Sequence, residues 1–449
     1  MIVQSMGRSV TYQEQSIPGE FDPLLVLRQL INAGLLSDYL LYQNHQEVRI
    51  AANPLATVAV NSNTISTHYQ DRDRTQEIND PLKQVEAELG RLPIENWTAY
   101  GYISFDFARF YYSYSKVQQQ PLLYFFIPKT EIYIRGDEIL IRTIESLSEI
   151  KTILSQDTQD LNDKIPVENH NVLLDSEQYI NQVIALKAAI QQGKLHKAIL
   201  CRSLKFKQEL DIFKTYKLGI QQNHDHRSYC FKLGDFRAVG FSPEALLEVR
   251  PHQQVFINPL AGTRPRSDDA VEDARLRQEL FTTAKEVKEH ALSIWHIQQE
   301  MRQICQPDTI KIQDFMQVKR YRYVQHLSSQ VTGQLQPEKT PWDAIKALFP
   351  AVTVSGIDKA QAIAWIDRLE TEPRGLYAGG LGWINQQGQG DLAIPIRSAY
   401  QYQDQVHLNA GAGIMAESIP EQEALECLSK MNTMLNNLVL KNSLQFPIR

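Results

Sequence analysis

Along residues 280–301, Leu280, Ala284, Val287, Ala291, Ile294 and Met301 recur at steps of three, four and seven positions. That spacing predicts a helix with one buried face. Glu286 and Glu289, three apart, share a neighbouring face of it. Tyr179, Val183, Leu186 and Ile190 predict a second helix, capped by Asp175 or Ser176 and stopped by Gly193. A third is expected after Ser418-Ile419-Pro420-Glu421, which fits a capping box, with Leu425, Leu428, Leu435 and Leu438 buried. That last helix carries a second acidic pair at the same spacing, Glu423 and Glu426, with Lys430 four residues further on.

Period-two and short apolar runs predict strands elsewhere. Residues 1–150 alternate such runs, at 48–50, 56–60, 100–107, 122–127 and 132–134, with polar turns. The aromatic stretch 105–114 reads as interior packing in preference to a ligand wall. Residues 151–175 turn polar and read as a surface connection. Strands and helices resume over 176–449, beginning with the buried strand Leu195-His196-Lys197-Ala198-Ile199-Leu200-Cys201-Arg202. Arg397 is placed inside a strand over 392–400, where a buried guanidinium needs an anionic partner, internal or bound.

Composition narrows the class of protein. The 449 residues are 43% hydrophobic and 22% charged, which suits a globular body with a large core. The net charge of −6 and the lack of a basic run argue against nucleic acid as a partner. Cys201, Cys230, Cys305 and Cys427 are scattered, so reduced thiols are expected and a zinc site is not. With no apolar leader and no run long enough for a membrane span, a cytoplasmic protein is expected.

Each candidate residue has a structural and a chemical reading. Two carboxylates three apart on a helix repel, so a lysine or a hard divalent cation should sit among them. Lys197 is a solvated strand end in the ordinary case; facing a closed cleft, it loses solvation and can act as a general base. Ser242-Pro243-Glu244 reads as a helix start, with Ser242 as cap and Glu244 near the positive end. In Asn258-Pro259-Leu260-Ala261-Gly262-Thr263-Arg264, Pro and Gly interrupt a strand, giving a plain turn or a loop whose amides face an anion. Gly411-Ala412-Gly413, ahead of the last helix, offers a carboxylate cradle. His326, among apolar neighbours, reads as a core histidine.

Taken in order, these motifs resemble the chorismate-utilising enzymes, a family that includes anthranilate, aminodeoxychorismate, isochorismate and salicylate synthases. The resemblance runs from about residue 176 to the C-terminus. It implies an α+β fold, a single large body of layered antiparallel sheets with peripheral helices. It also implies Mg²⁺ held directly by Glu289 and Glu426, with Glu286 and Glu423 acting through water. Gly262, Thr263, Tyr377, Arg397, the amides of Gly411, Ala412 and Gly413, and Lys430 would hold the substrate carboxylates and enolpyruvyl group, with Thr353 and His326 beside them. Glu244 would be the general acid at the departing C4 hydroxyl, and Lys197 the base that deprotonates water for attack at C2.

Within the resemblance, members that add ammonia carry glutamine where Lys197 stands, and members that add water carry lysine. The Phe349-Pro350-Ala351-Val352-Thr353-Val354-Ser355-Gly356-Ile357 loop is similar to that of members that go on to eliminate pyruvate. Together they imply salicylate formation from chorismate by way of isochorismate, with no glutamine amidotransferase subunit and a monomer or weak dimer. The alternatives are release of isochorismate, an ammonia-using synthase, and a non-catalytic aromatic-acid sensor, which would need neither acid nor base. Asp358 departs from the proline that many relatives carry there, which bears on how rigid the loop is.

Overall fold

Two thirteen-residue strands, Val48–Val60 and Leu123–Arg135, pair along their length and run through both sheets of the molecule. The sequence marks each as two short apolar runs. The structure joins them, with a register shift between Pro54 and Ala56 where the pair passes from one sheet to the other. The computed structural model describes residues 10–45, 47–118, 120–156, 176–223 and 227–441.

Every strand ladder among the described residues is antiparallel. In the first sheet Val48–Val60 is followed by Tyr39–Gln43, Arg227–Leu233, Phe236–Ser242, Ser398–Tyr402, Gln405–Ile414 and Lys197–Phe206. In the second, Leu123–Arg135 is followed by Thr98–Ile103, Gly380–Asn385, Gly390–Ala393, Ala245–Arg250, Gln254–Ile257 and Val324–Gln334, the last flanked by Leu260–Pro265 and Lys311–Arg320. Both sheets therefore mix strands from residues 1–150 with strands from 176–449. Alternating side chains of the two inner faces meet in one aromatic-rich core, where Tyr102 packs on Phe231 at 6.1 Å and edge-on to Phe236 at 5.1 Å.

The outer faces are covered by helices, giving the layered α+β body that the resemblance implies. Pro23–Asn32, Ile212–Ile220 and Pro420–Leu435 cover one sheet through Leu27, Tyr216 and Met431. Pro81–Arg91, Ala284–Met301 and Pro341–Leu348 cover the other through Leu82, Ile294 and Trp342. Among the described residues, no helix is long and apolar enough to cross a membrane. Of the expected connection at 151–175, residues 151–154 complete the helix Leu147–Leu154, and 157–175 lie outside the described residues.

Several helix expectations are corrected. The apolar spacing from Leu280 belongs to two helices, Ala270–Thr282 and Ala284–Met301, broken at the extended residue Thr283. On the second, Ala284 is exposed, Ile294 and Met301 are buried as expected, and Glu286, Glu289, His290, Ser293, Ile297 and Glu300 share the buried face with them. The acids point inward because cations wait for them there. The last helix is capped at Ile419 without a side-chain bond, since Ser418 Oγ instead accepts the Met415 amide; Leu425 is 63% exposed, and Glu423, Ala424, Cys427 and Met431 face inward. Ser176 holds the N-cap position of Glu177–Gln191 without a side-chain cap bond, and Asp175 lies outside the described residues.

One buried arginine joins three pieces that surround the cavity described below. Arg374 donates to both carboxylate oxygens of Glu370 at 2.6 and 2.9 Å, to Val354 O at 2.8 Å and to Ile199 O at 2.6 Å. Arg374→Met should cost about 3–5 kcal/mol, because it strands a buried carboxylate. Arg374→Met/Glu370→Leu should recover part of that loss in urea unfolding. A double variant no more stable than the single one would show that the carbonyl contacts matter and the ion pair does not.

Candidate active site

Strand alternation builds one wall of the cavity. Lys197–Phe206 and Gln405–Ile414 pair with Ile199 opposite Gly413 and Cys201 opposite Gly411. Ala198, Leu200, Ala412 and Ile414 face outward into an apolar cluster beneath the helix Glu177–Gln191. Ile199, Asn409, Gly411 and Gly413 line the cavity. The glycines are thus strand residues and not a loop ahead of the helix, and the Ala412 side chain is turned away, leaving only its backbone near the site. A Cβ on Gly413 would lie 2.2 Å from Glu289 Oε1, so a larger residue there would displace that carboxylate.

The two acidic pairs face each other from separate helices, and each carboxylate is closed on a cation. Lys197 Nζ lies 3.0 Å from Glu289 Oε1 and donates to Ser293 Oγ at 3.1 Å; its side chain is fully buried. Lys430 meets Glu426 at 2.8 Å and Lys285 meets Glu423 at 2.6 Å. Arg264 donates to Glu286 Oε1 at 2.7 Å, while Thr263 N–H donates to Glu286 Oε2 at 3.0 Å. Burial, with the Glu426 charge second, pushes the Glu423 carboxyl up to about 7. Burial also opposes ionisation of Glu426, but Lys430 and Lys285 outweigh it and hold that carboxyl below its usual range.

Among the described residues, no three His, Cys, Asp or Glu side chains converge as a metal-binding group. The donor chemistry still suits a hard divalent cation. The site offers only carboxylates, and Glu423 Oε2 is buried with no hydrogen-bond partner.

Glu244 stands in a strand-to-strand turn, not at a helix start: Ser242 ends one strand and Ala245 begins the next. Ser242 Oγ donates to Ile394 O at 2.6 Å and accepts the Glu244 amide at 3.3 Å, tightening that turn. The Glu244 side chain accepts the Leu260 amide at 2.6 Å and a bond from Thr353; burial pushes its carboxyl up to about 7. Asn258 and Pro259 lead into the bulged strand Leu260–Pro265, in which Gly262 has φ +80°. Two of its amides, from Leu260 and Thr263, are used by the protein's own Glu244 and Glu286.

Arg397 is corrected as well: it sits between the strands Gly390–Ala393 and Ser398–Tyr402 with φ +51°. Its guanidinium lies over the Tyr321 ring at 4.9 Å and bonds His326 Nε2. His326 Nδ1 is 3.1 Å from Thr263 Oγ1 and 3.3 Å from Gly262 O. A carbonyl only accepts and a guanidinium only donates, so the Nδ1–H tautomer satisfies both ends. His326 thus ties Arg397 to the bulged strand.

One cavity is lined by Glu244, Gly262, Thr263, Glu289, His326, Thr353, Tyr377, Arg397, Gly411, Gly413 and Lys430. Lys197, Glu286, Glu423 and Glu426 lie outside that lining. Lys197 and Glu426 reach it through Glu289 and Lys430, and Glu286 through the Thr263 amide. Sequence reasoning gave no role to Arg264, Lys285, Ser293 or Asn409. Arg264 and Lys285 stand next to named motif residues and carry the charge that the carboxylates need. Ser293, one helical turn beyond Glu289, and Asn409, two before Gly411, carry no signal beyond periodicity.

A model of the chorismate binding enzyme family matches residues 37–436. The salicylate synthase of Mycolicibacterium paratuberculosis is 34% identical over 438 residues, 95% of this chain and 96% of that protein. The anthranilate synthase component 1 of Haloferax volcanii is 36% identical over 264 residues, 58% of this chain and 50% of that one. The crystal structure of anthranilate synthase component I from Streptococcus pneumoniae superimposes with a TM-score of 0.74 at 25% identity, over 87% of this chain and 92% of that chain.

The raised carboxyl of Glu244 has a signed consequence. A folded-state value near 7 above an ordinary value of 4.5 means the folded protein holds the proton more tightly. Stability from this group is complete below about pH 4.5 and is lost as pH climbs toward about 7. Glu244→Gln removes that dependence. Relative to wild type, the variant should gain on the order of 2–3 kcal/mol between about pH 5 and pH 8 in urea unfolding. A difference that stays flat with pH would contradict the burial argument.

Proposed function

The chain belongs to the family of chorismate-binding enzymes, and we propose that it makes salicylate from chorismate through isochorismate, with water as nucleophile. The observation that carries this reading is Lys197, fully buried and fixed by Glu289 and Ser293 immediately behind the cavity wall. A solvated strand end would show neither the burial nor the partners. The similarity to a salicylate synthase along 95% of the chain supports the same reading.

On this reading Glu244 protonates the C4 hydroxyl as it leaves, a role suited to a carboxyl that keeps its proton to about pH 7. Lys197 takes a proton from the water that attacks C2. Arg397, steadied by His326, holds a substrate carboxylate together with Tyr377 and the Gly411 and Gly413 backbone. Glu289 and Glu426, with Glu286 and Glu423 through water, would hold Mg²⁺, which when bound neutralises charge at the ring carboxylate. To serve as that base Lys197 must first give up its ammonium proton to solvent, which loss of its pairing with Glu289 to a bound cation would favour. Pyruvate loss follows when the C2 hydrogen moves to the enolpyruvyl methylene as the ether bond breaks. That transfer is intramolecular and needs a compressed conformer more than another base. No amidotransferase partner is required.

Incubated with chorismate and Mg²⁺, the protein should release salicylate and pyruvate in equal amounts, and EDTA should abolish turnover until Mg²⁺ is restored. Isochorismate as the sole lasting product would reduce the activity to the first half-reaction. Full turnover in EDTA would remove the metal from the account.

Lys197→Ala separates the two steps. It should block formation of isochorismate from chorismate while retaining part of the conversion of supplied isochorismate to salicylate. Equal loss of both activities, or anthranilate formed as readily from ammonium in the wild type, would defeat the role given to this lysine.

A further inference from the structure

Asn409 lies two residues before Gly411 on the Gln405–Ile414 strand, so alternation turns its side chain to the cavity face, beside Ile199 and Tyr377. The edge of that strand facing away from Lys197–Phe206 is paired with Ser398–Tyr402 only as far as Leu408. From Asn409 onward no strand among the described residues covers it. Only 6% of the residue is exposed, yet its carboxamide is half-satisfied. Nδ2 donates to the Cys201 sulfur at 3.5 Å, a weak acceptor, while the buried Oδ1 has no hydrogen-bond partner.

A buried amide oxygen left bare is costly, and folded proteins keep such atoms where a ligand or water completes them. Asn409 lines the cavity that holds the ligand of this family, and its oxygen is the end of the carboxamide not tied to Cys201. The protein side is already taken by Cys201 on the neighbouring strand. The same residue also lines a second, polar cavity behind the Lys197–Phe206 strand, so it forms the partition between the two spaces. A side chain fixed on one side and unsatisfied on the other is placed to receive a donor from a bound molecule.

We infer that Asn409 is a further substrate-contacting residue, whose carboxamide oxygen accepts a hydrogen bond from a hydroxyl of bound chorismate and sets how that ring sits. The inference needs only the family's ligand and not the salicylate reading, which product analysis of the wild type tests separately.

The test is the dissociation constant for chorismate, read in the presence of Mg²⁺ from quenching of tryptophan fluorescence in the mixing phase of a stopped flow, before turnover. Asn409→Leu keeps the shape and removes the acceptor, and should weaken binding about tenfold, the loss of one hydrogen bond to a neutral group. Cys201→Ala removes only the amide's protein partner and should leave the constant within about twofold. If the two variants weaken binding alike, Asn409 acts by bracing the strand and the inference is overturned. An unchanged constant in Asn409→Leu overturns it as well. Should the leucine variant fail to fold, Asn409→Ser, which withdraws the acceptor by shortening the chain, is read by the same criteria.

Discussion

Four carboxylates from two helices meet in one buried region, and each must be neutralised where water cannot help. Left unpaired, any of them would cost several kcal/mol. The chain answers with four cations drawn from four separate elements. Lys197 enters from a strand, Arg264 from the bulged strand, and Lys285 and Lys430 from the same two helices as the acids. Three of the four pairs, all but Lys430–Glu426 on one helix, join distant parts of the sequence and so also fix how those parts sit together. At Gly413 a Cβ would meet the Glu289 carboxylate, so a side chain there would push that group from its place.

The scaffold makes that region possible by keeping it at the edge of two sheets. The Lys197–Phe206 and Gln405–Ile414 strands lie near the end of one sheet beneath a helix, with the two-residue strand Gly356–Ile357 against Lys197 and Ala198, and the bulged Leu260–Pro265 strand flanks the last long strand of the other. Between them, Arg374 pins the loop that carries Thr353 to the backbone of Ile199. Glu244 is held in a turn between strands of both sheets by Ser242 and Asn258, the latter bonding Ala245 N–H and Pro243 O at 2.8 Å each. Rigid elements therefore set the distance between the acid at Glu244 and the lysine at Lys197.

Much of this could be read from the sequence, for identifiable reasons. Three-residue spacing put each acidic pair on one helix face, but spacing alone fits a solvated face, and Lys197 alone fits a solvated strand end; the motifs taken in order, through the resemblance, gave both their roles. What failed were local assignments decided by distant partners. The apolar spacing from Leu280 continues across the break at Thr283, and nothing near Glu286 reveals the arginine that turns it inward. Ser242-Pro243-Glu244 carries helix-start chemistry, but pairing with Arg227–Leu233 and Ser398–Tyr402 holds the preceding residues in a strand. The Gly411 segment likewise takes its strand from Lys197–Phe206. Asn409 stayed silent because its significance is an unmet hydrogen bond, a property only the packed structure has.

The account centres on water as the nucleophile that Lys197 serves at C2. Running the reaction in ¹⁸O-labelled water and weighing the aromatic product tests this directly. The account predicts one labelled oxygen in salicylate, at the phenolic position. Salicylate without label, or a nitrogen-bearing aromatic acid as the main product when ammonium is present, would contradict it.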